Sequence, residues 1–256
     1  MYIDTHCHLH DEKFTDIDSV VEEYLKNGVD IAINMGCEST SSLQGKLLAE
    51  KYDSVYFAAG CHPSDSNQFN QNEFDKIAQL TSHEKCVAIG EIGLDFYWEP
   101  YDKEEQKQCF LAQIELAKQE KLPICIHSRN ATEDMLKLLK SNKDKLVYGG
   151  VMHCFSGSVE TASELIKLGL YISFAGPLTF KNANQLLEVA KFVPDELCLT
   201  ETDSPYLAPH PLRGTVNTPK NIPIITATLA QLKNKDNVEF ANQVKINAKR
   251  LFYKLK

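Results

Sequence analysis

The run Cys86-Val87-Ala88-Ile89-Gly90-Glu91, the stretch Glu104–Glu120 and the run Pro123-Ile124-Cys125-Ile126-His127 read as strand, helix, strand. The first and last are short and rich in apolar and β-branched residues. The middle one carries Phe110, Leu111, Ile114 and Ala117 on one helical face. Pro123 follows Lys121-Leu122 and opens the second strand. A strand–helix–strand unit of this size predicts two parallel neighbours in one sheet.

Outward from this unit, the same alternation runs from end to end. Further strands are expected at Tyr2–His6, Asp30–Met35, Val55–Gly60, Gly150–His153, Leu170–Phe174 and Leu197–Thr202, which brings the count to eight. Helices are expected at Ile17–Asn27, Ser41–Lys51, Glu73–Thr81, Thr132–Lys140, Val159–Leu168 and Ala183–Phe192, with a last helical region over Ile224–Lys233 and Val238–Tyr253. Gly28 and Gly169 follow helices, where a left-handed residue commonly ends them. Eight such units predict closure into a (β/α)8 TIM barrel, an α/β fold of about 250 residues. The chain has 256 residues, so a single domain over 1–256 is expected.

Composition narrows the class. With 43% hydrophobic and 24% charged residues, the chain has material for a sizeable core. Its net charge of −8 argues against a basic protein that coats nucleic acid. It leaves a nuclease open, because bound cations can supply positive charge where a phosphate sits. Eight cysteines are present, most of them inside apolar runs, with no CxxC pair and no cationic or apolar leader after Met1. Reduced, buried cysteines in a cytoplasmic protein are expected. No apolar run approaches the ~18 residues of a membrane span.

The chemistry begins at Asp4-Thr5-His6-Cys7-His8. Alternation in a strand turns His6 and His8 to one face and Cys7 to the other. Two imidazoles on one face are half a metal site, or else a hydrogen-bonded pair in the core. Ionisable residues at the ends of other strands favour the metal. Glu91, His127 and His153 end their strands, Asp203 follows Leu199-Thr200-Glu201-Thr202, and His62 follows Ala58-Ala59-Gly60-Cys61. In a barrel these ends share one rim, the C-terminal face. Burying that many ionisable groups unpaired would cost several kcal/mol; one or two divalent cations would relieve the cost.

His6-Cys7-His8, Gly60-Cys61-His62-Pro63, Gly90-Glu91-Ile92-Gly93-Leu94-Asp95, His127-Ser128-Arg129, His153-Cys154-Phe155-Ser156-Gly157 and Glu201-Thr202-Asp203-Ser204-Pro205-Tyr206 together resemble the TatD-related deoxyribonucleases of the amidohydrolase superfamily. Pro211-Leu212-Arg213-Gly214, Asn217 and Pro219 resemble that family's late loop. The resemblance implies a metal held by His6, His8, Asp203 and Glu91. It implies a second held by Glu91, His127 and His153, with Glu91 bridging. It further implies hydrolysis of DNA phosphodiesters from the 3′ end. Two departures bear on substrate preference: His10 stands where the family often has aspartate, and Asn130 where an acidic residue commonly follows the arginine.

Two cations about 4 Å apart clamp the oxygens of a phosphodiester and acidify the water between them. Asp203 is the expected proton acceptor. Arg129 and Arg213 are candidates to grip phosphate in two-point geometry. His62 is read as a substrate contact or an orienting residue. Asp95 orients a histidine or caps a turn, and Glu201 faces inward one layer below Asp203 with a histidine as partner. Cys7, Cys61 and Cys154 are read as small apolar fillers, with Cys7 and Cys154 turned away from the site, and His83 and His210 as solvated loop residues. Trp98, Phe155 and Tyr206 either pack or contact a base. Mg2+ or Mn2+ are the working ions expected, although an imidazole-rich shell also takes Zn2+ or another late transition metal. DNA is the expected partner, with no obligate protein partner and a monomeric chain. Hydrolysis of a carbonyl substrate (amide, lactone or aminoacyl-tRNA ester) is the alternative, since the same hydroxide attacks carbon and the fold does not choose.

Overall fold

The computed structural model describes residues 1–256. Eight parallel strands follow one another in chain order around a single sheet: β1 (Tyr2–Cys7), β2 (Val29–Met35), β3 (Val55–Ala59), β4 (Cys86–Asp95), β5 (Ile124–Arg129), β6 (Gly150–Met152), β7 (Leu170–Phe174) and β8 (Cys198–Thr200). The ring closes beyond the end of β8. The backbone N–H of Asp203 donates to the His6 carbonyl (2.9 Å), and that of His8 donates to the Ser204 carbonyl (2.7 Å). The result is a (β/α)8 TIM barrel, as expected.

Helices α1 (Ile17–Lys26), α2 (Ser39–Lys51), α3 (Gln71–Thr81), α4 (Lys103–Glu120), α5 (Thr132–Ser141), α6 (Val159–Lys167), α7 (Asn184–Phe192), α8 (Ile222–Leu232) and α9 (Asn237–Leu251) cover the strands. Several start where a short polar side chain accepts first-turn N–H groups: Asp16, Asn70, Asp102, Ser158 and Asp236. Gly28 and Gly169 have φ of 78° and 83°, the left-handed exit anticipated after α1 and α6.

Strand ends differ from the sequence reading in ways that matter to the site. β4 runs four residues past Glu91, because Ile92, Gly93, Leu94 and Asp95 pair in register with Ile126–Arg129 of β5. Gly93 makes this pairing possible: its φ is 152°, and a Cβ there would lie 1.9 Å from the His127 carbonyl oxygen. β8 stops at Thr200, short of the expected Thr202. The buried Asp4 carboxylate accepts the N–H and hydroxyl of Thr202, which draws the chain out of the ladder.

The core has two parts. The larger lies between the outer faces of the strands and the helices, and includes Phe57, Ile89, Ile126, Phe174, Phe110 and Ile225. The smaller fills the barrel with Ile33, Tyr56, Val87, Cys125, Val151, Tyr171 and Leu199, joined by Leu251, Phe252 and Leu255 at the chain's end. The Tyr253 hydroxyl donates to the Lys121 carbonyl, and Lys254 reaches the carbonyls of Thr81 and His83. These carbonyls lie just before β5 and β4, so the end of α9 closes the N-terminal mouth of the barrel.

Candidate metal centre

Alternation along a strand decides what rises above the barrel core. On β5, Cys125 faces the barrel core and His127 stands two residues above it; Val151 and His153 repeat the arrangement, as do Leu199, Glu201 and Asp203. The apolar positions fill the barrel, and the next inward positions at its C-terminal end carry imidazoles and carboxylates.

Glu91 lies at the centre of this group, and its two oxygens face different partners. Oε2 lies 3.2 Å from His6 Nε2 and 3.7 Å from His8 Nε2. Oε1 lies 2.8 Å from His153 Nε2, 2.9 Å from His127 Nδ1 and 3.7 Å from His62 Nε2. Asp203 completes the first side, its Oδ1 3.3 Å from His8 Nε2 and 3.6 Å from His6 Nε2. Two sets of potential ligand atoms therefore share one carboxylate: His6, His8 and Asp203 on one side, Glu91, His127 and His153 on the other. Asp203 has a left-handed φ of 54°, a backbone state that costs of order 1–3 kcal/mol and concentrates at functional sites.

The donor set fits cations better than it fits itself. His6 Nε2 and His8 Nε2 face each other at 3.2 Å, and His127 Nδ1 and His153 Nε2 at 3.1 Å. At most one nitrogen of each pair can bring a proton to the contact when the rings are neutral. The opposite ring nitrogens are already held: His127 Nε2 by Asp95 Oδ2 (2.9 Å), His153 Nδ1 by Glu201 Oε1 (3.2 Å), His8 Nδ1 by the Met35 carbonyl (3.3 Å) and His6 Nδ1 beside Cys125 Sγ (3.4 Å). A partner on the far nitrogen turns the near one inward and fixes its tautomer, the arrangement usual behind ligand histidines.

Electrostatics follow the geometry. Burial alone would raise the Glu91 pKa, but His153, His6, His62 and His127 together hold it well below the carboxylate range. Burial likewise opposes the charged form of His153, yet Glu91 and Glu201 keep its pKa well above the ordinary histidine value. His127 is raised against burial by its bonds to Asp95 and Glu91. Burial pushes His62 down to about 3, so its ring is neutral near pH 7. Beneath the site, burial raises Asp4 to about 8.

A cavity of about 680 Å³ opens over Glu91, His127, His153 and Asp203. His62 lines it, with Nδ1 accepting the Ser64 N–H (3.1 Å). Arg129 lines it too, its guanidinium 3.6 Å from the centre of the Tyr97 ring. Arg213 does not. It is exposed, with its guanidinium 4.1 Å from the centre of the Phe180 ring, so an expected phosphate contact lies off the cavity.

Asp95 fills both roles considered for it, since Oδ2 meets His127 and Oδ1 accepts the Tyr97 N–H (2.8 Å). Glu201 has the histidine partner expected. Cys7 is turned away, its thiol donating to the Ile33 carbonyl. Cys154 is not: with φ of 41° it leaves the strand alternation and lines the cavity. All eight cysteines are free. His210 is exposed as expected, whereas His83 is half-buried, 3.6 Å from Glu50. Three contributors had escaped the sequence reading. Cys37 lines the cavity with Sγ 3.8 Å from His8 Nδ1; its place just after β2, at a strand's C-terminal end, was the available signal. Gln106 and Gln113 on α4 were hidden by their residue type.

Known proteins with this sequence pattern share the architecture. The family model described as TatD related DNase matches residues 3–253. A Bacillus subtilis protein named an uncharacterized metal-dependent hydrolase, YabD, is 43% identical over 98% of this chain and 99% of its own length. A Shigella flexneri protein named 3′-5′ ssDNA/RNA exonuclease TatD is 34% identical over 93% of each chain. The crystal structure of YJJV, a TatD homolog from Escherichia coli, superposes with a TM-score of 0.93 at 30% identity over 98% of both chains. Sequence and backbone agree along almost the whole length, and the chain belongs to the TatD-related DNase family.

Proposed function

We propose that this protein is a metal-dependent hydrolase that cleaves phosphodiester bonds of DNA, working 3′ to 5′ with two divalent ions. The observation that carries the reading is the division of Glu91: one oxygen faces His6 and His8, the other His127 and His153. A single carboxylate shared between two ligand sets is the arrangement a two-metal site requires. The Shigella flexneri relative is named an exonuclease of single-stranded DNA and RNA, which supports a nucleic-acid substrate.

Bound there, the ions supply Lewis acidity and a water acidified toward neutral pH. The chain supplies the rest. His6, His8 and Asp203 would hold one ion, His127 and His153 the other, with the Glu91 carboxylate available to both. Asp203 is held ionised by His8 and His6 against the effect of burial, so its carboxylate can accept a proton from a nucleophilic water. Arg129, the only lysine or arginine lining the cavity, presents its N–H edges to a phosphate. Five carboxylates line the same cavity — Asp11, Asp65, Glu91, Asp95 and Asp203 — so charge there favours cations before phosphate.

The deciding experiment strips the protein of metal and restores Mg2+, Mn2+ or Zn2+ stepwise against end-labelled single- and double-stranded DNA. Stepwise release of mononucleotides from the 3′ end, saturating after two equivalents of metal, is expected. A fully metallated protein that leaves DNA intact but hydrolyses an ester or lactone would move the reading to a carbonyl substrate.

A further inference from the structure

The cavity has few ways to hold a nucleic acid apart from metal. Arg129 is its one strong cation, and the chain's net charge of −8 gives no long-range attraction for a polyanion. Affinity must then come from a contact that does not depend on charge. Two exposed aromatic rings line the mouth, Trp98 in the loop after β4 and Tyr206 in the loop after β8. Tyr206 is already engaged: Lys13 Nζ sits 4.2 Å from its ring centre, and its hydroxyl donates to Asp11 (2.6 Å). Trp98 is engaged along one side only. The Tyr97 ring meets it at 90° with centroids 4.8 Å apart, and the Arg129 guanidinium lies 5.3 Å from its centre. It remains 61% exposed, a large apolar ring held at the rim of a polar cavity with nothing packed over it.

Resting on the nuclease reading above, we infer that Trp98 is a base platform. It stacks the nucleobase beside the scissile phosphate, while Arg129, seated on Tyr97, binds that phosphate through its free N–H edge. Stacking on a guanidinium face leaves the donor edge open, so one Arg129 serves both the aromatic pair and the phosphate. Every base has a π-face, so the contact tolerates sequence and favours purines through their larger area. A base within a duplex has both faces covered by its neighbours, so the platform takes an unpaired nucleotide. Trp98 makes this contact alike in the bound and reacting states, and therefore acts on KM more than on kcat.

Trp98 is the only tryptophan of the chain, which makes the test direct. Intrinsic fluorescence is followed while metal-loaded protein is titrated with a phosphorothioate-linked octanucleotide that resists hydrolysis. Saturable quenching is expected, stronger with an oligo-dA than with an oligo-dT probe and absent with a blunt hairpin. By anisotropy of a labelled oligonucleotide, Trp98→Ala should weaken binding by about 5- to 150-fold, the range for one stacked base, and Trp98→Phe should restore most of the loss. Replacing the stacked nucleotide by an abasic one should erase the difference between wild type and Trp98→Ala. A penalty for Trp98→Ala that persists on the abasic probe, or fluorescence that stays constant while the oligonucleotide binds and natural DNA is cut, would overturn the platform and leave the nuclease reading intact. DNA that neither binds nor is cut removes both.

Discussion

Glu91 and Asp203 carry unequal burdens, and each can be tested singly. Glu91 has histidines of both ligand sets within 4 Å of its carboxylate, five histidines in all around its two oxygens. Glu91→Ala is expected to lower metal stoichiometry to one or none and to abolish hydrolysis while the barrel stays folded. Elemental analysis of the purified variant decides it, and two tightly bound ions would refute the shared role. Asp203 differs in that part of its work is a proton. Asparagine has nearly the same shape and keeps one oxygen for a metal, but it cannot take a proton from water. Asp203→Asn should lose roughly 10²–10⁴-fold in kcat at saturating metal, the usual weight of general-base assistance. Wild-type turnover in a fully occupied variant would move the base elsewhere.

At the scale of elements, α4 does more than cover β4. Two of its glutamines, Gln106 and Gln113, are buried and face neighbouring backbone. The Asp95 N–H donates to Gln106 Oε1 (2.8 Å) while Gln106 Nε2 donates to the Asp95 carbonyl (2.8 Å). Gln113 treats Cys61 the same way, at 2.7 and 3.0 Å. Asp95 holds His127 and Cys61 precedes His62, so one helix fixes the end of β4 and the segment after β3 beside the Glu91 Oε1 side of the site. Gln113→Leu keeps the volume but leaves the buried Cys61 N–H without a partner and its carbonyl with only the Cys109 thiol at 4.0 Å, at roughly 1–3 kcal/mol for each lost bond. A chain of this size loses ~2–4 °C of Tm per kcal/mol, so a drop of several degrees by calorimetry is expected, with reduced turnover. An unchanged Tm would mean that the loop finds other partners. The periodicity of Glu104–Glu120 disclosed the apolar stripe of α4, but nothing in periodicity separates a buried glutamine from a solvated one.

For the whole molecule, metal loading and protonation are one equilibrium. His127 and His153 have pKa values raised above the ordinary histidine value by their carboxylate partners, despite burial. A metal ligand must be deprotonated, so ions and protons compete for these ring nitrogens. The sign follows: affinity falls as pH falls, because protons then compete better for the same nitrogens. Calorimetric metal titrations in two buffers of different ionisation enthalpy should report net proton release at pH 7, smaller at pH 9. Equal heats in both buffers would show that the rings are already neutral in the metal-free protein.

What the sequence by itself determined is the repeating part of this protein. Eight apolar runs alternating with amphipathic ones specify parallel strands and a barrel, because each element must bury one face against the next. Alternation along β5 and β6 specifies that His127 and His153 stand above Cys125 and Val151, because side chains in a strand repeat every two residues. Only the tertiary structure decided where that periodicity breaks. β8 ends early because Asp4, nearly two hundred residues away, captures Thr202. Cys154 turns into the cavity through a left-handed backbone, and Arg213 settles on Phe180 outside it. The barrel floor is likewise closed by Phe252 and Leu255 from the far end of the chain. Each of these depends on contacts between residues distant in sequence, which a local pattern cannot encode.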